Sequence, residues 1–429
     1  MPNSIAVIDM KAFYAFYECV ERGLDAFKTP LVVCDTSRGD GTIVLSVSPY
    51  LKMQGVPSRC RKRELPKRDD IIFAVPQMQK YVEKSAEIVS IVLDFVGEDD
   101  IHVYSIDELF VNLTPYLKMY NATPRELVKK ILDTIYEKTH LVATAGIGEN
   151  MLMAKLALDL DGKKRKPYIA IWTKKDIKEK LWKVKPLSKM WGISINYERR
   201  LNALGIYSVG DLANAPKELL KEKFGVMGEQ LHEHANGIDN TNIREKYIPE
   251  ETSFSIGQTL HDNYAREEAS LLIKEMNDDL SSRLRKHHMK TSTISLAIGY
   301  DFDDIDGGFS HSVKLPFPTD DSDIILKELL IIFDKYIEDH FTRRLYISYG
   351  NLTKCDYQQL SLFEDPNESI KRKNMQKTLD NIKDKYGSNS VLRTSSLLEK
   401  STAKERHSQI GGHKKWAIEE WKNGLHIHL

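Results

Sequence analysis

At 429 residues the chain is too long for one hydrophobic core, since single cores stop growing near ~250–300 residues, so several domains are expected. Its 62 Lys and Arg balance 62 Asp and Glu, which excludes a globally basic nucleic-acid binder and makes any cationic surface local. No apolar run reaches the ~18 residues of a membrane span, no signal-peptide pattern opens the chain, and Cys19, Cys34, Cys60 and Cys355 lack metal-ligand spacing; the expectation is a cytoplasmic protein with reduced thiols and no membrane contact.

Residues 4–9 form a short apolar run ending in Asp9, read as a buried strand that delivers an acid to a sheet edge. Residues 10–21 read as a helix carrying Phe13, Tyr14, Phe16 and Tyr17. An acid at such a junction suits either a helix cap or a divalent-cation ligand. Residues 31–34 and 42–46 read as strands. A short helix follows over 48–55, with Ser48 as N-cap, Pro49 in the first turn and Gly55 closing it. Residues 59–68 (RCRKRELPKR) are strongly basic, either a solvated charge run or a nucleic-acid contact.

Residues 71–75 read as a strand and 77–96 as a helix whose apolar face includes Tyr81, Ile88, Ile91, Val92 and Phe95. The next run, IHVYSIDELFVNLT over 101–114, has strand composition interrupted by the adjacent acids Asp107 and Glu108. Neighbouring strand residues point to opposite faces. Both acids can therefore reach one ion only at a hairpin end, where twist or a bulge re-aims one of them; otherwise they are turn residues. Asp9, at the end of another apolar run, weighs against a turn role alone. A helix opening at Thr123-Pro124, a strand over 141–147, a helix over 150–160 that holds Lys155, and the cationic loop 162–167 (GKKRKP) complete an alternating pattern that suits a ferredoxin-like α+β domain.

Residues 190–193 and 201–213 have the pattern of a helix-hairpin-helix, in which Gly205 lets backbone N–H groups approach a phosphate; an αα-hairpin used only for packing is the alternative. From 252 onward the order is strand, helix (266–286), strands (291–300 and 309–315), helix (322–339) and strand (344–349), a βαββαβ unit. TSTISLAI alternates a hydroxyl face with an apolar one. Arg283, Arg285, Lys286, His287, His288 and Lys290 form a local basic cluster, either a solvated helix end or a DNA contact. The remainder is charged, with a candidate helix on Leu379, Ile382 and Tyr386, and is expected to be partly disordered.

IDMKAFYAFYECVER (8–22) resembles the opening motif of the Y-family translesion DNA polymerases, and SIDELFVNL (105–113) resembles their second acidic motif. The branch it is most similar to is the UmuC-like one of Gram-positive UV-damage repair proteins. The resemblance implies an α+β right hand. Its palm would be 1–20 and 71–173, fingers 21–70, a helix-hairpin-helix thumb 174–240, a βαββαβ little finger 245–351 and a clamp-binding tail 352–429. It implies an error-prone polymerase that adds dNTPs to a primer 3′-OH opposite damaged template in an SOS-type response. Two Mg2+ ions would be held by Asp9, Asp107, Glu108 and the Met10 carbonyl. Tyr14, beside Phe13, would be the steric gate against ribonucleotides. Ser46, Lys52 and a lysine of the loop, Lys163, Lys164 or Lys166, would bind the triphosphate.

The implied partners are primer–template DNA, held by Gly192, Gly205, Ile206, Arg283, Arg285, Lys286 and Lys290, and the β sliding clamp. The clamp would be reached through Gln359, Leu360, Ser361, Leu362 and Phe363, with room for a UmuD-like accessory protein and a nucleoid-associated location. Two positions depart from the family pattern: Lys11 stands where many members have a second aspartate, and Pro49 where other branches have a tyrosine. They leave a competing reading, a non-catalytic clamp- and DNA-binding factor that controls access of other polymerases. A nucleotide cyclase would have no use for the hairpin or the clamp pentapeptide.

Overall fold

The apolar sequence Ile5-Ala-Val-Ile8 is buried on both faces because it forms the middle of a sheet, strand β1 (Ile5–Met10). The computed structural model describes residues 3–164, 166–245, 252–301, 307–354 and 365–416, and the chain divides between Tyr247 and Ile248 into two units. In the first, β1 leads into α1 (Phe13–Glu21), β2 (Leu31–Val33), β3 (Ser46–Val47), α2 (Pro49–Met53), β4 (Ile72–Ala74), α3 (Met78–Leu93), β5 (Ile101–Val103), β6 (Glu108–Asn112), α4 (Pro124–Thr139), β7 (Ala143–Gly148), α5 (Met151–Ala157) and β8 (Ile169–Ile171). A helical region follows: α6 (Lys174–Glu179), α7 (Ile195–Asn202), α8 (Val209–Asn214), α9 (Lys217–Phe224) and α10 (Val226–Ala235). Among the described residues no helix is long and apolar enough to cross a membrane.

The main sheet has five strands in the order β5-β6-β1-β7-β8. The acid-bearing hairpin β5–β6 therefore lies at one edge, and β1, not the hairpin, is central. Strand β4, placed by sequence in the palm, instead pairs in parallel with β2 in a separate three-stranded sheet, β3-β2-β4. Helix α1 begins at Phe13 rather than Met10. Strand pairing holds β1 through Met10, and Ala12 turns the chain in the left-handed region (φ 50°).

Helix α5 lies flush on β7 because Gly146 has no side chain: a Cβ there would stand 2.1 Å from the Ala154 carbonyl oxygen. Backbone cannot yield as a flexible side chain can. Gly146→Ala is expected to lower the unfolding temperature by roughly 5 °C or more in a thermal melt.

The second unit contains β9 (Phe254–Tyr264), α11 (Arg266–Lys286), β10 (Met289–Tyr300), β11 (Phe309–Thr319), α12 (Ser322–Tyr336) and β12 (Thr342–Lys354), in the expected βαββαβ order. The sheet order is β11-β10-β12-β9. Its inner face, with Ile294, Leu296, Ile298, Leu345, Ile347 and Tyr349, packs in one cluster with Leu272, Met276 and Leu280 of α11 and Leu329 and Phe333 of α12. Of the alternate residues of β10, Thr291, Thr293 and Ser295 carry hydroxyls, and Ser295 and Ser312 hydrogen-bond across two strands at 2.7 Å.

The candidate helix on Leu379, Ile382 and Tyr386 lies within a longer one. α13 (Pro366–Tyr386) and α14 (Ala403–His407) form, and the segment folds onto α11. Its charges are not merely solvated, because α11 and the start of α12 hold their counterparts. Asp380 accepts from Ser282 (2.7 Å) and Arg285 (2.6 Å), Asp384 from Lys286 (2.8 Å), and Arg372 pairs with Asp321 (2.7 Å). Arg393 pairs with Asp278 and Arg406 with Asp279. Glu275, 3 % exposed in mid-α11, accepts from Ser401 at 2.6 Å. The Arg285–Asp380 pair is largely shielded, so Asp380→Ala, which strands the guanidinium, should cost about 1–3 kcal/mol in chemical denaturation of the second unit.

Candidate active site

Asp9 is the fifth residue of β1, directly opposite Glu108, the first residue of β6, and opposite Thr144 of β7 on its other side. Asp107 lies in the turn just before β6. There the Ser105 hydroxyl donates to its carboxylate (2.8 Å), and its carbonyl accepts from Met10 N–H (2.9 Å). The two adjacent acids thus sit at a hairpin end, where the alternation of a strand does not force them apart. Asp9 is not a helix cap: α1 is preceded by Ala12, and no side chain caps it.

Burial raises the pKa of both Asp9 and Glu108. Lys163 opposes that shift at Asp9, with Asp107 adding to it; Lys155 opposes it at Glu108, with Asp9 adding to it. Glu108 Oε2 accepts from Lys155 at 2.8 Å, while Oε1 is buried with no hydrogen-bond partner. Lys155, itself buried, also pairs with Asp159 at 3.3 Å. Lys163 bridges Asp159 (2.9 Å) and Asp9 (3.0 Å). Burial pulls the Lys163 ammonium down, yet Asp9 and Asp159 hold it well above the ordinary lysine value.

A π-helical turn over Leu158–Gly162 follows α5 and carries the chain to Lys163. Gly162 makes this possible, since a Cβ there would stand 2.7 Å from the Ala145 carbonyl. Sequence reading gave no role to Lys155 or Asp159. The available signal is the four-residue spacing of 155, 159 and 163 on the helix that follows β7, a strand whose first residues lie beside Asp9. Of the loop lysines it left open, Lys163 reaches the acids, whereas Lys166 stands 6.0 Å from the centre of the Phe27 ring. Lys11 donates to the Lys163 carbonyl (3.3 Å) and lies 4.5 Å over the Tyr168 ring. The Lys52 side chain reaches solvent but is flanked by enough protein for lost hydration to lower its pKa, and it is near enough to Asp9 and Asp107 for both charges to oppose that shift.

Among the described residues no three His, Cys, Asp or Glu side chains are drawn together as a ready-made metal site. The donor set nonetheless suits a hard cation. All its atoms are oxygens, the acids repel one another, burial penalises the charge of Asp9 and Glu108, and one Glu108 oxygen is left without a partner.

Tyr14 is half-buried, its ring centre 4.7 Å from Tyr81 and 5.5 Å from Phe13. Tyr81 is fixed from below: its hydroxyl donates to the fully buried Glu18 carboxylate at 2.5 Å, which Gln77 (3.2 Å) and Arg22 also serve. Burial raises the Tyr14 pKa, as does the Asp107 charge, and Arg59 opposes them. Phe16 and Tyr17 are core residues.

Other nominated residues have different surroundings. Ser46 is buried and donates to the Ala12 carbonyl (3.4 Å), so its hydroxyl is turned to the protein. At the 205–208 turn, Gly205 N–H donates to Asn202 (3.0 Å) and Ile206 N–H to Leu201 (3.1 Å), while Asp211 takes those of Tyr207 and Ser208. This turn closes on itself and does not offer those groups to a phosphate. Gly192 (φ 89°) sits in an open turn before α7, which Ser194 caps. Arg285 and Lys286 are engaged by the tail, Lys290 is buried, and Arg283 is exposed with its guanidinium 4.4 Å from the Phe254 ring centre. Residues 359–363 and Cys355 lie outside the described residues.

A family model described as impB/mucB/samB matches residues 8–159, and that for its C-terminal domain matches 251–362. A protein of Bacillus subtilis (strain 168) named for UV-damage repair, UvrX, is 40% identical over 96% of this chain and 98% of its own length. DNA polymerase IV 2 of the same organism is 31% identical over 96% and 98%. Among solved structures, a Y-family DNA polymerase chimera, Dbh-Dpo4(243-245)-Dbh, shares the fold with a TM-score of 0.64 at 22% identity, covering 81% of this chain and 98% of that one.

Proposed function

The chain belongs to the impB/mucB/samB family of UmuC-like Y-family DNA polymerases, and on that premise we propose that the Asp9–Asp107–Glu108 site adds dNTPs to a primer 3′-OH past damaged bases by two-metal-ion chemistry. The observation that carries this reading is the pairing of Asp9 with Glu108 across β1 and β6, with Asp107 in the adjoining turn. Asp9, Asp107, Glu108 and the Met10 carbonyl would hold the Mg2+ ions. Bound there, magnesium supplies Lewis acidity toward the primer hydroxyl and neutralises triphosphate charge.

The chain's own groups do the rest. Lys52 and Lys163 bind the triphosphate as point charges. Tyr14, backed by Tyr81, fills the space a ribose 2′-hydroxyl needs. The Gly192 turn takes a DNA phosphate, which fixes register without reading sequence. Arg283 and the hydroxyl face of β10 and β11 run along the DNA backbone. Residues 359–363 dock a sliding clamp, and the activity serves SOS-type damage tolerance, with a UmuD-like protein as a further partner.

The test is extension of a primer across a defined abasic site with Mg2+ and dNTPs, with and without clamp. Bypass that the clamp stimulates is expected. Purified protein that extends no primer even on undamaged template would point instead to a non-catalytic clamp- and DNA-binding factor.

A further inference from the structure

Every carboxylate on the wall formed by β1, β6 and the end of α5 already has an ammonium partner. Lys155 serves Glu108 and Asp159, and Lys163 serves Asp159 and Asp9. Lys11 adds a third ammonium, held to the Lys163 carbonyl two residues along the chain from Asp9. Four carboxylates, counting Asp107, are thus opposed by three ammonium groups, with Lys52 a fourth within electrostatic range, so a bare divalent ion meets a weak net field. The two bridging lysines are not equivalent. Lys155 is 7% exposed and locked in place, whereas Lys163 is 37% exposed, at the end of the π-helical turn.

We propose that Lys163 is an exchangeable internal counter-ion. It rests on Asp9 and Asp159 and transfers to the nucleotide's phosphates when they arrive, so that cation binding depends on nucleotide. Lys11 strengthens this dependence by placing a further positive charge beside Asp9. A cation that arrives with a triphosphate brings its own anion, gives Lys163 and Lys11 a new partner, and finds Asp9 released. This rests on the polymerase reading but goes beyond it, because it concerns how strongly the nucleotide-free protein holds a cation.

The probe is Mn2+, followed by the electron paramagnetic resonance of the free ion, titrated into the full-length protein without DNA or nucleotide. Wild type should bind weakly. Lys163→Met and Lys11→Asp should each tighten Mn2+ binding by tenfold or more, and Lys163→Arg, which keeps the charge, should match wild type. Thermal melts establish that each variant is folded, and the two tightening variants lie on different elements, so loss of one leaves the other. Folded Lys163→Met and Lys11→Asp proteins that bind Mn2+ no more tightly than wild type overturn the proposal. If wild type still extends primers in that case, the polymerase reading stands and only the counter-ion role is lost. A wild type that neither extends primers nor takes up Mn2+ with a non-hydrolysable dNTP analogue removes both.

Discussion

Asp9→Asn and Asp107→Asn should each reduce primer extension by roughly 10³-fold or more while leaving the protein folded. Each change removes a charge from the set that would hold the catalytic cations, and several kcal/mol of transition-state stabilisation go with it. At about 1.36 kcal/mol per decade of rate this is a loss of three decades or more. Burial raises the folded-state pKa of Asp9. A raised carboxyl pKa favours the fold at pH below the unfolded value, and that contribution is lost as pH rises through the folded value. At neutral pH the ionised Asp9 therefore costs stability, and an amide removes the cost. The melting temperature of Asp9→Asn, measured without metal, should equal or exceed that of wild type, which separates lost chemistry from lost structure. Either variant extending at the wild-type rate would sink the metal assignment.

Tyr14→Ala should raise ribonucleotide incorporation relative to deoxyribonucleotide by roughly 10²-fold, about 2.7 kcal/mol of discrimination. The ring is held on two sides, by Phe13 and by Tyr81, and Tyr81 is itself tied to a buried carboxylate. It cannot swing away at low cost to admit a 2′-hydroxyl. Truncation to alanine opens that space and leaves Phe13 and Tyr81 in their own packing. The measurement is single-nucleotide insertion of rNTP against dNTP on an undamaged template. An unchanged ratio would mean that Tyr14 is only a packing residue.

Much of this was legible in the chain. The βαββαβ order of the second unit follows from periodicities that local packing satisfies, and α11 begins and ends at residues 266 and 286 as read. The acid pair at a hairpin end was readable because alternation forbids any other shared site. What was not legible depends on long-range partners. The basic cluster near 285 offers cations to DNA when read alone, but Asp380 and Asp384, about a hundred residues later, claim two of them. The 205–208 turn has the composition of a phosphate binder, yet Asp211 and its own carbonyls consume the donors. Strand β4 was assigned to the wrong sheet because its three residues fit any edge, and only pairing with β2 decides. The charge of residues 365–416 likewise says nothing by itself about whether a complementary helix face exists, and α11 supplies one.

That helix face sets where this polymerase can be cut and rejoined. The C-terminal family match stops at residue 362, but Glu275, Asp278 and Asp279 pair with side chains between 393 and 407, and Arg285, besides the Asp320 carbonyl, pairs with Gln376 and Asp380. A graft of 251–362 onto a relative's first unit would carry a carboxylate made for a dry interface out into water, beside unmatched charges of both signs. Such a cassette should express poorly, and the transplantable piece runs on to Lys415.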